Sequence, residues 1–333
     1  MAVLNKTGER TPRFSETRLG RMLLSQEAIL LVITLIAIAV LATQNERFLT
    51  TRNLQRELIL MFEVALIALP MTLIIITGGI DLSVGSIFGL SAIVLGFAWQ
   101  DAGLPLELAI ALGLLTGLAC GFVNGFFIVR LNVPPLIMTL ATLALFRGMA
   151  LGISQARSAR GFPEWFTSGI GRGDIAGVPV QVWILGAAII ITWLVLSRTT
   201  FGRSLYAIGS NELAARFAGI PVNRNKLIIY MYSGFMSALA AVVFVSRVTT
   251  TRADMGSGIE LDAIAAVVLG GTSIFGGVGS VFGTALGLIL IQVLKNGLLL
   301  AGIKSDATIV MIGTILILAI LVNNFIRARF RSV

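Results

Sequence analysis

"IITGGIDLSVGS", running from Ile75 to Ser86, interrupts one of the most apolar regions of a very apolar chain. It brings in a carboxylate, Asp81, two serines, Ser83 and Ser86, and three glycines, Gly78, Gly79 and Gly85. A continuous rod buried in lipid has no use for these residues, because the freed backbone and the charge both need partners there. The stretch therefore predicts a break. Gly78 and Gly79 end one helix, and Asp81, with Ser83, starts the next by accepting the unpaired N–H groups of its first turn. The charge pattern sets this turn near a water-facing end of the spans.

The flanks of the break fix the fold class. Of 333 residues, 56% are hydrophobic and 12% charged, about half the charged fraction of a soluble domain. Mean hydropathy is +0.95. Too few polar residues exist to coat a soluble protein of this size, so the bilayer is the expected solvent. The reading is an all-α polytopic membrane protein of about ten transmembrane helices, at 23–43, 57–77, 81–99, 106–129, 134–153, 179–197, 227–247, 258–274, 279–300 and 306–326. The segments 81–99 and 258–274 are rich in glycine and fit a re-entrant path as well as a spanning one. Residues 1–22 form a polar tail ahead of a retained first helix, 23–326 a single transmembrane domain, and 327–333 a short basic tail.

Net charge is +9, yet the positive residues sit at the ends of apolar spans, so the lipid bilayer and not nucleic acid is the partner. Counted by connection, fourteen Lys and Arg fall on one side and nine on the other. The richer side includes Lys6, Arg10, Arg203, Arg216, Lys226 and Arg327, and it places both termini and the 198–226 loop in the cytoplasm. A weak echo runs through the chain. "GIDLSVGS" at 79–86 resembles "GIELDAIA" at 258–265, "ALGL" at 111–114 recurs at 285–288, and "NGFF" at 124–127 matches "NGLL" at 296–299. The offset of five spans is odd, which makes the two copies, about 57–153 and 227–326, an inverted repeat.

Several chemistries are excluded. The chain has no histidine and one cysteine, Cys120, so His-based metal sites, Ser–His or Cys–His pairs and an intrachain disulfide cannot form. No phosphate-cradling G-x-x-x-x-G-K-[ST] motif occurs. Few ionisable residues enter the spans, Glu63, Arg147 and Lys295 lying deepest, which suits a neutral substrate better than an ion-coupled carrier. Glu260 and Asp262 are expected to match Asp81 at the opposite side. Gly270, Gly271, Gly276 and Gly277 mark a turn and a tightly packed helix pair. Asn124 and Asn296 are expected to hydrogen-bond between helices.

The cytoplasmic loop "TTFGRSLYAIGSNELAARFAGIPVNRNK", Thr199 to Lys226, is too polar to enter lipid. Ser210 or Asn211 is placed to cap a short helix through Glu212 to Ala218, with Gly219 as its stop and Pro221 beyond it. Its apolar face, Leu213, Ala214, Phe217 and Ala218, is suited either to a partner's groove or to the bilayer surface.

Taken together, "GGIDLSVGS" at 78–86, "FGRSLYAIGSNELAARFAGIPV" at 201–222 and "GIELDAIAAVVLGGTSIFGGVGSVFGT" at 258–284 resemble the permease subunit of ATP-binding-cassette importers of the ribose and monosaccharide type, to which the autoinducer-2 and rhamnose permeases are close. The resemblance covers residues 45–325 or so. It implies import of a small neutral sugar or autoinducer-2, a second permease subunit of the same or similar kind, a cytoplasmic ATPase that carries ATP and magnesium, and a periplasmic sugar-binding protein, all at a bacterial inner membrane. It implies no cofactor on this chain and no catalysis by it. The 211–220 helix resembles a coupling helix, so Asn211, Glu212, Ala215, Gly219 and Ile220 are the implied ATPase contacts. The basic 154–178 loop is longer than is typical of that family.

Overall fold

The computed structural model describes residues 26–302 together with 310, 313 and 314. The tails at 1–22 and 327–333 lie outside the described residues, and so do the charges on them and most of the tenth expected span, 306–326. The helices are α1 (Gln26–Gln44), α2 (Thr51–Ile76), α3 (Val84–Gln100), α4 (Leu106–Arg130), α5 (Pro135–Ser154), α6 (Val180–Arg198), α7 (Thr200–Ser210), α8 (Glu212–Phe217), α9 (Val222–Val248), α10 (Ile259–Leu269) and α11 (Val281–Leu300).

Seven of these, α1, α2, α4, α5, α6, α9 and α11, are long and apolar enough to cross a membrane. The expected spans 81–99 and 258–274 are shorter helices. At 1.5 Å per residue, the 17 residues of α3 rise about 25 Å and the 11 of α10 about 16 Å, against a hydrocarbon layer of about 30 Å. Ten full spans are thus not what the described residues contain. The physical reason is the glycine and polar content of both segments, which converts part of each expected span into non-helical backbone, at 81–83 before α3 and at 270–274 after α10.

α2 is the central post. Its first turn is capped by the Thr50 side chain, and from Phe62 to Ile76 nearly every residue is buried. The helix carries Pro70 in its interior and still runs 26 residues, which is tolerated where neighbouring helices enclose the freed carbonyl. Among the polar links that tie it sideways are two from its buried half. Glu63 pairs with Arg247 of α9 at 2.6 Å, and the Thr72 and Thr284 hydroxyls meet at 2.7 Å between α2 and α11.

The most extensive helix contact joins α4 to α9. Gly117, Gly121 and Gly125 stand four residues apart on α4 and form a stripe without β-carbons. A β-carbon at Gly121 would collide with the Tyr230 carbonyl oxygen, and one at Gly117 with Gly234 of α9. Small residues at this spacing let two backbones approach in lipid, where packing replaces the hydrophobic effect as the driving force. The opposite faces of α4 and α5, with Leu115, Phe122, Ile137, Leu140 and Met149, are exposed.

The 155–179 connection is not a bare loop. It holds a π-helical segment, Trp165–Gly171, and a two-stranded ribbon, Asp174–Ile175 with Val178–Pro179. Phe166 is fully buried, Gly171 lies against the Ser246 carbonyl, and Gln181 of α6 donates to the Ile170 and Gly171 carbonyls. The segment forms a lid over the end of α9.

Candidate functional site

Two non-helical breaks, at 77–83 before α3 and at 249–258 before α10, define the interior. The first begins where α2 ends at Ile76. Gly78 takes a left-handed conformation (φ 78°) that lets the chain reverse within the bundle. Gly79 leaves room for the Tyr230 hydroxyl of α9, since a β-carbon there would come within 2.7 Å of it. Asp81 follows and is fully buried. One of its carboxylate oxygens accepts from the Ser83 N–H at 3.0 Å and the Ser83 hydroxyl at 2.6 Å, and the other accepts from the Ser233 hydroxyl of α9 at 2.9 Å. Ser83 in turn accepts from the Asn124 amide of α4 at 2.8 Å, and the Asn124 carbonyl accepts from Thr142 of α5 at 2.7 Å. Thr139 donates to the Ile80 carbonyl.

Two donors of Ser83, just ahead of α3, and one of Ser233 on α9 thus converge on one carboxylate, with Asn124 of α4 and Thr142 of α5 behind them, and none of these is cationic. Two points differ from the sequence expectation. Asp81 is not open to water at the turn but is enclosed, because α4, α5 and α9 supply the hydroxyls and amide that replace water. It also binds the N–H of Ser83, at the edge of α3, and not the orphan groups inside its first turn; Ser83 itself makes no side-chain cap. The Tyr230 hydroxyl is buried beside this network without a hydrogen-bond partner.

The second break, 249–258, is more open. Arg252 and Asp254 pair on the exposed surface at 2.6 Å. The strap from Ala253 to Gly256 lies backbone to backbone on α3. Gly85 makes this possible: a β-carbon there would collide with the Gly256 carbonyl and with the Glu260 carboxylate. Arg147 of α5 reaches into the same place. Its Nη1 donates to the Ala253 carbonyl and, at 2.9 Å, to that of Met255, and its Nη2 donates to the Gly85 carbonyl at 3.1 Å. Glu260 turns one carboxylate oxygen back to the Gly258 N–H at 3.1 Å, while the other is enclosed without a partner. Asp262, one turn into α10, pairs with Lys295 of α11 at 2.7 Å, part-exposed. Asn296 exchanges hydrogen bonds with Asn53 of α2 at 3.0 and 3.1 Å. Sequence reading assigned no role to Arg147, Ser233 or Thr142. The signal for Arg147 was an isolated charge inside an apolar span.

The third assembly is the α7–α8 loop. Thr199 caps α7, and the Asn211 side chain accepts the Ala214 N–H at 2.9 Å to cap α8. Gly219, at φ 80°, follows the Ala218 C-cap and ends α8 in the left-handed conformation that glycine adopts freely. Ala215 is buried against Ile208 and Val222, with Ile220 packed on them. Glu212 binds Lys226 at 2.6 Å and Arg216 at 2.8 Å. Partial burial pushes its carboxyl up, but the hydrogen bonds and charges of Lys226 and Arg216 outweigh that and hold it below the ordinary carboxylate range. Leu213 and Phe217, by contrast, point outward, Phe217 being 92% exposed.

The α10–α11 connection lies beside this loop. Gly276 and Gly277 pack on Gly209 and Ser210 of α7, and the Gly277 N–H donates to the Ile76 carbonyl at 2.9 Å. Gly271 makes the first reversal, and Gly270 packs directly on Gly283 of α11. At the tip Phe275 is 88% exposed.

A multi-pass helical bundle with hydrogen-bonded breaks in its interior has the build of a membrane permease. The chain belongs to the permease family described as branched-chain amino acid transport system / permease component, which matches residues 53–320. It is similar to the autoinducer 2 import system permease protein LsrD of Photorhabdus luminescens, with 41% identity over 263 residues, 77% of this chain and 78% of that protein. The protein of the same name from Escherichia coli (strain K12) is likewise 41% identical over 263 residues, 77% of this chain and 79% of its own length.

Proposed function

We propose that this chain is the membrane-spanning subunit of an ATP-binding-cassette importer, and that it passes a small, neutral, hydroxyl-rich solute into the cytoplasm. Autoinducer-2 is the favoured solute, on the ground of the relatives just described; a pentose or deoxyhexose is the second reading, carried by the motifs at 78–86 and 258–284. The energy comes from ATP and magnesium on a separate ATPase, and a periplasmic binding protein delivers the solute. A second copy of the chain, or a similar one, completes the pathway. The excess of Lys and Arg supports placing both termini and the α7–α8 loop in the cytoplasm. An inverted repeat is supported by two similar units, each a long helix, a non-helical break and a short helix: α2 with α3, and α9 with α10.

The observation that carries the reading is α8. A capped six-residue helix outside the spans, braced by Glu212 and Lys226, presents Leu213 and Phe217 to the surface. A rigid small helix with outward aromatic and aliphatic side chains is what a partner's groove takes up. Phe275 extends the same surface from the neighbouring connection. The test is co-purification of the chain with its ATPase, followed by ATP-dependent uptake in proteoliposomes. Phe217→Asp should cut ATPase recovery at least tenfold while membrane insertion is unchanged. Accumulation of solute by the chain alone, without an ATPase, would overturn the proposal. Calorimetry on the companion binding protein, with autoinducer-2 and with ribose and rhamnose, decides between the two solute readings.

A further inference from the structure

The geometry points to Arg147 as the positioning residue of the translocation step: its guanidinium clamps the 253–256 strap onto the first turns of α3, and it exchanges those carbonyls for the free oxygen of Glu260 when the strap lifts. The inference rests on the importer reading above.

Arg147 lies in the interior of an apolar span, twelve residues after Pro135, where a cation is retained only for a purpose. All three of its hydrogen bonds go to backbone carbonyls, those of Gly85, Ala253 and Met255. A salt bridge to a fixed carboxylate would lock one geometry, whereas carbonyl oxygens can be released and remade as the strap moves. Among the described residues no other hydrogen bond joins the strap to α3. The remaining contact is apolar: Ala253 packs in a cluster with Ile87, Leu90 and Ile93, and Gly85 and Gly89 of α3 leave space for Gly256 and for the guanidinium itself. Such a contact slides without losing polar partners.

The second position is already in place. The enclosed Glu260 oxygen sits against Gly85, and the guanidinium sits against Gly89, one turn along the same helix. In this structure Arg147 satisfies the strap and Glu260 is left half-satisfied. With the strap lifted, Arg147 and Glu260 satisfy each other. Each arrangement leaves a different group wanting, which is the requirement for two discrete states.

Hydrogen exchange of the 252–258 amides tests this, in nanodiscs, on the full chain with its ATPase, nucleotide-free and trapped with ATP and orthovanadate. Wild type should exchange at least tenfold faster in the trapped state than in the nucleotide-free one. Arg147→Gln should exchange fast in both, Glu260→Gln slow in both, and Arg147→Lys between wild type and Arg147→Gln. Protection of α4 and α9 should be unchanged throughout. The inference is overturned if Arg147→Gln behaves as wild type, or if the acceleration spreads equally through α4 and α9, the mark of general loosening. Should the wild-type chain bind no ATPase, the importer reading fails. The nucleotide-free comparison of wild type with Arg147→Gln still decides whether the clamp exists.

Discussion

The break at 77–83 and the break at 249–258 solve one problem in opposite ways. Both interrupt a helix inside the bundle and leave backbone groups to be satisfied. The first is closed on itself: Asp81 gathers hydroxyls from Ser83 and Ser233, Ser83 and Thr142 draw in Asn124, and these bonds join buried side chains of the break to those of α4, α5 and α9. The second is anchored at Thr251, which exchanges hydrogen bonds with Ala159, and beyond it the 253–256 strap is held from outside by one guanidinium on α5, while Arg252 and Asp254 pair in the open. A carboxylate held by neutral donors of Ser83 and of Ser233 on α9 behaves as a rivet, whereas a 253–256 strap hydrogen-bonded to its neighbours through a single side chain behaves as a latch. The difference teaches which half of the interior is fixed and which is free to move.

The comparison breaks if the rivet can be removed without effect. Asp81→Ala takes away the acceptor of three hydrogen bonds and strands the Ser83 and Ser233 hydroxyls. Hydrogen bonds to a charged group contribute about 1.5–3 kcal/mol each, with strong non-additivity, so we expect a loss of about 3 kcal/mol, read as a large fall in the thermal unfolding midpoint in detergent. An unchanged midpoint would make the 77–83 break no more fixed than its counterpart. Thr142→Val, at the far end of the same network, leaves the Asn124 carbonyl without that donor and should cost about 1 kcal/mol in the same assay. A smaller effect belongs to α8, outside both breaks. Glu212 titrates below its ordinary range when folded, so its contribution is full above that range and fades as the pH falls through its folded value. With 39% of the side chain exposed, solvent screening keeps it under about 1 kcal/mol. Glu212→Gln should therefore be less stable than wild type at neutral pH and equal to it in acid. Smallest of all, Arg252→Ala on the open strap removes an exposed ion pair and should change the midpoint by less than about 0.5 kcal/mol equivalent. A loss as large as that at Asp81 would show the strap to be riveted too.

Much of this was legible in the residues. The break at Gly78–Gly79 follows from glycine and a carboxylate in an apolar run, and the α8 cap and stop follow from Asn211 and Gly219, because turn and cap chemistry is local. What local reading missed is long-range. Ser233 is an unremarkable serine on an apolar helix until α9 packs on α4, and that packing depends on Gly117, Gly121 and Gly125 facing it. The burial of Asp81 could not be read either, since charge counts in the connections report on helix ends and not on what neighbouring helices enclose. The length of α10 was overestimated for a related reason: hydropathy does not distinguish an apolar helix from apolar non-helical backbone lying in the protein interior.

The Ile76 carbonyl at the end of α2 has a consequence for how the chain is made. Its partner is the N–H of Gly277, and the second oxygen of Asp81 waits for Ser233, 152 residues downstream. A ribosome that has delivered α2 and α3 to the membrane has delivered the central post without the groups that complete its lower end. Closure of so many long-range contacts is slow compared with local helix formation. The half-made chain must hold a carboxylate and open carbonyls in or near lipid for as long as it takes to synthesise α9 and the turn beyond α10. Truncation before that turn leaves the oldest part of the fold unfinished.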